Sequence, residues 1–148
     1  MNISITFLFA VLCCSIALHA QTQSPPNVPF AGCYEIVSQT WHPMNEDASP
    51  IPGRFQLLKE PLDERSNEIL QMRGLPANDH VMERLWFWQA KGDRLWISLG
   101  TGFGGFRGTL KRDRDGEFIG SIKEWCDSHC GWKTRTAKLR IRKTDCTQ

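Results

Sequence analysis

Downstream of residue 30 the chain breaks into short β-favouring runs, each ended by turn residues before it can grow into a long helix, and this spacing constrains the fold more than any motif does. Eight strands are predicted, over residues 32–41, 53–60, 67–74, 83–90, 94–100, 103–112, 117–125 and 132–143. Proline, glycine and Asx residues fill the gaps at 43–52, 61–66, 76–80, 91–93, 100–102, 113–116 and 126–131. Asp115-Gly116, between flanks of alternating polarity, is the strongest hairpin signal. Alternation places Tyr34, Ile36 and Ser38 on one strand face, and Phe106, Gly108 and Leu110 on another with Arg107, Thr109 and Lys111 opposite. Segments 61–70 and 77–85 have room for a helical turn and no more.

Consecutive short antiparallel strands without crossover helices favour an all-β meander, most stable when closed into an up-and-down barrel, with an open sandwich as the alternative. Glycines at 100, 102, 104, 105, 108 and 120 fit strongly coiled strands. The domain is expected to span residues 30–148, one domain's length, behind a proline-rich lead-in at 21–29.

The first twenty residues read as a secretory signal peptide: an uncharged apolar run over 3–18, then Ala20 before the polar Gln21. The expected location is therefore secreted or periplasmic. Cys13 and Cys14 lie in this leader, which leaves Cys33, Cys126, Cys130 and Cys146. An even number of cysteines in an exported chain argues for disulfides. Of the three possible pairings, Cys33 with Cys146 and Cys126 with Cys130 are preferred, the first joining the domain's ends and the second stapling a local turn.

Charge excludes some partners. With 18 basic and 16 acidic residues the net charge is +2, too balanced for a nucleic-acid binder. Basic residues do gather late in the chain, at Lys133, Arg135, Lys138, Arg140, Arg142 and Lys143, where a solvated strand face is the simplest reading. No apolar stretch after the leader has the length of a bilayer-spanning helix.

The aromatic residues carry the main functional hint. Trp86, Trp88, Trp96, Phe103 and Phe106 are candidate walls of a pocket for an apolar or amphipathic small molecule, because an eight-stranded barrel is just wide enough to be filled by side chains or to hold one small ligand. Both faces of the 85–90 strand are apolar, so its inward face is left open. A protein-interaction module, such as an inhibitor of a secreted enzyme, is the first rival, and a barrel enzyme the second.

Chemistry-bearing motifs are weak. Residues 100–105 match the glycine spacing of a dinucleotide-binding turn, but a β-alternating segment follows where the pyrophosphate needs a helix, so no cofactor is expected. Cys126, His129 and Cys130, with His42 or His80, have zinc-ligand chemistry, yet export favours disulfides, and no metal is expected. Neither Asp79-His80 nor the acidic pairs Glu46-Asp47 and Asp63-Glu64 forms a catalytic arrangement, so no catalytic residues are assigned.

Gly32-Cys33-Tyr34 opening the first strand, the eight-strand meander and the arginines of the last strand together resemble the lipocalin or calycin class of secreted barrels. The resemblance implies a cup for small hydrophobic molecules, closed at one end by an aromatic residue beside an arginine. Tyr34 would take the place of that family's tryptophan, with Arg140 or Arg142 as the closing arginine; the family's Thr-Asp-Tyr signature is absent.

Overall fold

The computed structural model describes residues 28–43, 51–63, 66–76, 85–100, 102–127 and 134–147. The expected leader lies outside them, as do His80, His129 and Cys130. Eight strands, β1 (Gly32–His42), β2 (Arg54–Asp63), β3 (Ser66–Leu75), β4 (Trp86–Lys91), β5 (Arg94–Gly100), β6 (Gly104–Arg112), β7 (Phe118–Cys126) and β8 (Thr136–Thr144), follow a short 3-10 turn at Val28–Phe30. Each pairs antiparallel with its neighbour in sequence, and β1 pairs with β8, so the sheet closes as an up-and-down barrel. No helix among the described residues is long and apolar enough to cross a membrane.

Period-2 alternation sorts the side chains as closure requires. Leu95, Ile97 and Leu99 of β5, Phe106 and Leu110 of β6, Phe118 and Ile122 of β7, and Ala137, Leu139 and Ile141 of β8 all belong to one buried cluster. Arg107, Lys111, Lys123, Lys138, Arg140 and Arg142 alternate with them on the exposed outer face. Where barrel strands bend hardest, glycine is required. Gly105 has φ 151°, and a Cβ there would collide with the backbone carbonyl of Leu99 on β5.

One departure from simple alternation changes the reading of β1. The β1–β8 register shifts between Ile36 and Ser38, leaving Val37 bulged and 43% exposed. Tyr34 and Ile36 therefore pack inward, while Ser38, expected on their face, is exposed, and Trp41 packs against the core.

The end of the barrel where β1 begins is closed. Phe30 meets Phe118 edge-on at 5.4 Å, and the Tyr34 hydroxyl donates to the Phe30 carbonyl at 2.7 Å. Both contacts come from the 3-10 turn at Val28–Phe30, which packs against this end of the barrel. The β6–β7 turn closes as its sequence predicted. Asp113 Oδ1 accepts from the backbone N–H groups of Asp115 and Glu117, and Gly116 takes φ 84°.

Cys33 and Cys146 form a disulfide across the β1–β8 seam, with Cα atoms 5.2 Å apart. Cys126 is also disulfide-bonded, and its expected partner Cys130 is outside the described residues.

Burial pushes the Tyr34 phenol from 10.0 up to about 12, against a smaller opposing pull from the Arg112 charge. A phenol that the fold keeps neutral stabilises fully below its unfolded pKa, and that stability is lost as pH rises through the folded value. The window is pH 10 to 12, and the amount about 2 to 3 kcal/mol. Tyr34 is the chain's one tyrosine, so tyrosinate absorbance reports it alone. The native protein is expected to ionise near pH 12 and the guanidinium-unfolded chain near 10. Coincident midpoints would contradict a buried, hydrogen-bonded phenol.

Candidate functional site

At the opposite end, where β1, β3, β5 and β7 finish, the inward-facing residues form a mixed aromatic and charged row. Ladder pairing sets it out strand by strand: Trp86 opposes Leu99, Leu99 opposes Phe106, and Phe106 opposes Glu124. The Glu124 backbone N–H donates to the Arg135 carbonyl at 2.8 Å, which extends the row to the residue just before β8. Trp41 stands one ladder step along, opposite Ala137.

Of these side chains, those of Trp41, Phe106, Glu124 and Arg135 meet one another. Trp41 and Phe106 pack edge-to-face with centroids 5.2 Å apart. The Arg135 guanidinium lies 5.9 Å from the Trp41 centroid and 5.3 Å from that of Phe106, within cation–π range of both. Arg135 Nη2 donates to Glu124 Oε1 at 3.1 Å, while its Nε and backbone N–H donate to Oε2 at 3.2 and 3.0 Å. The ion pair is largely withdrawn from water, with side chains 24% and 11% exposed for Arg135 and Glu124. Burial on its own would raise the Glu124 carboxyl; the hydrogen bonds and charge of Arg135 outweigh it and hold the carboxyl below its ordinary range. An ion pair placed in an otherwise apolar barrel mouth is weak as a stabilising device, because desolvation offsets most of the attraction.

The five aromatic residues expected to wall a pocket do not share one surface. Trp88 is fully buried inside, its indole N–H donating to the Leu58 carbonyl at 3.0 Å, so it fills the barrel below the mouth. Trp86 and Phe106 face inward at the mouth itself. Trp96 alternates with the buried Leu95 and Ile97 and so faces outward, where it meets Phe87 at 5.2 Å. Phe103, 80% exposed, lies in the β5–β6 connection on the rim.

Tyr34 is buried between Phe55 and Phe118 at the closed end, but Arg140 and Arg142 are not beside it. Both are exposed on the outer face and pair with Glu117 and Glu35, at 3.2 and 2.6 Å. Odd-numbered β8 residues point inward, which sends these two outward. The arginine whose charge acts on Tyr34 is Arg112.

Trp41, Glu124 and Arg135 were not among the expected site residues. Glu124 and Arg135 did carry a signal, since each continues the inward phase of its strand, after Gly120 and Ile122 in β7 and ahead of Ala137 in β8. Trp41 carried none, because the bulge at Val37 reverses the phase of β1. No group of three or more metal-ligating side chains occurs among the described residues. Comparison of the chain with protein-family models, curated proteins and solved structures gives no match.

Proposed function

We propose that this protein is an exported, lipocalin-like carrier that binds an amphipathic small molecule at the barrel mouth formed by Trp41, Trp86, Phe106 and Arg135. The observation that carries the reading is the inward-facing aromatic row with a half-buried arginine stacked against two of its rings. Small-molecule sites are apolar concavities with a few convergent polar groups, and barrel mouths are a common place for them. Below this row Trp88, Ile97, Ile122 and Ala137 are buried in the interior, which supports the mouth over a deep cup as the place for a ligand. An apolar interior beneath a charged outer face fits a barrel bathed in water better than one facing lipid. The seam disulfide is compatible with an oxidising compartment.

The test is native mass spectrometry of the protein purified from an oxidising compartment, before and after denaturation. A mass excess lost on denaturation is the expected result and supplies the ligand's mass. A bare chain that also fails to take up added amphiphiles would overturn the carrier reading.

A protein contact is the second reading, and it uses a different surface. Leu85 and Phe103 are 43% and 80% exposed at this end of the barrel, and Phe87 packs on Trp96 on the outer wall. Exposed apolar groups gathered this way are typical of interaction surfaces.

A further inference from the structure

The carrier reading leaves the ligand's head group open, and the Glu124–Arg135 pair narrows it. Both charges sit at the mouth, and each is already compensated by the other. Three hydrogen bonds from Arg135 occupy the two oxygens of Glu124. The guanidinium uses its Nε and Nη2 edge for this, and Nη1 makes no hydrogen bond among the described residues. Among the described residues the site therefore offers an incoming molecule N–H donors held against two aromatic rings, with the charge of Arg135 balanced by Glu124.

We infer that the preferred ligand, resting on the carrier reading above, is a neutral amphipath whose head is a hydrogen-bond acceptor, such as an alcohol, ketone or ester, received by Arg135 at the barrel mouth. A carboxylate here would form a third charge beside a neutral pair, with Glu124 opposing it in a poorly solvated setting. An ammonium group would meet the guanidinium and suffer the converse repulsion. A neutral acceptor disturbs neither partner and takes a donor whose strength is enhanced by its charge. Its apolar body lies across Trp41, Trp86 and Phe106.

Charge swaps at the pair make the inference testable with decanol, decanoate and decylammonium as probes, measured by calorimetry on the full oxidised protein. The native protein should favour decanol over either ion by about tenfold or more. In Glu124→Gln the arginine loses its counter-ion, and decanoate should tighten by about tenfold relative to decanol. In Arg135→Gln the lone carboxylate should instead shift the preference toward decylammonium by a similar factor.

Near-ultraviolet circular dichroism checks that each variant keeps its packed core, and either folded variant suffices to decide. If neither folds, the native ranking decides, since decanoate binding as tightly as decanol overturns the inference. An unchanged ranking across all three proteins also overturns it and leaves the carrier reading standing. Failure of every probe on every folded protein overturns the carrier reading itself.

Discussion

Replacing Cys33 and Cys146 together by serine is expected to lower the free energy of unfolding by about 4 to 5 kcal/mol, the chain-entropy value for a loop closed over 113 residues. The bond joins the start of β1 to the segment just after β8, the two strands whose pairing closes the barrel. Without it, the unfolded chain regains the freedom of nearly the whole domain, while the folded seam is held by ladder hydrogen bonds and side-chain packing alone. A small domain has only about 5 to 15 kcal/mol of net stability, so the loss is a large share of the whole. Guanidinium unfolding of the oxidised protein and the double variant measures it. Coincident midpoints would mean that the unfolded ensemble is already restrained by other means.

Trp88→Ala should cost about 3 to 5 kcal/mol for the lost volume, with a further contribution of about 1 to 3 kcal/mol from the orphaned Leu58 carbonyl. The indole is fully buried and belongs to the core cluster with Leu57, Leu70, Ile97 and Leu99. Trp88→Phe keeps most of the apolar volume and loses the hydrogen bond, so it should cost much less than the alanine change. The same denaturant series reads both. A loss under about 1 kcal/mol for Trp88→Ala would describe a hollow barrel in which the ring is a dispensable wall. It also follows that loss of ligand uptake in Trp88→Ala would report on folding first, so binding is better probed at Trp41, Trp86 and Arg135.

The strands were legible because their boundaries are chemical. Asp113 and Gly116 set a turn by side-chain hydrogen bonding and positive φ, and Gly92, with φ 61°, does the same between β4 and β5. Faces were legible wherever alternation ran unbroken, as in β6 with Phe106, Gly108 and Leu110 inward. The mouth was harder to see for two physical reasons. A single bulged residue, Val37, reverses every face beyond it, and nothing in Ile36-Val37-Ser38 distinguishes a bulge from regular strand. Residue type also competes with phase: by type Trp96 belongs with the other aromatics although it falls between Leu95 and Ile97, and Arg135 with the solvated basic residues although it is in step with Ala137. A charged residue in step with an apolar strand face is the informative exception.

Backbone amide chemical-shift mapping with decanol tests the central claim most directly, because it locates the ligand as well as detecting it. Binding at the mouth predicts saturable shifts clustered at Trp41, Trp86, Phe106, Glu124 and Arg135, with the closed end around Tyr34 and Phe118 unmoved. Shifts confined to Leu85, Phe87, Trp96 and Phe103 on the outer wall and rim, or no saturable shifts at any position, would contradict it.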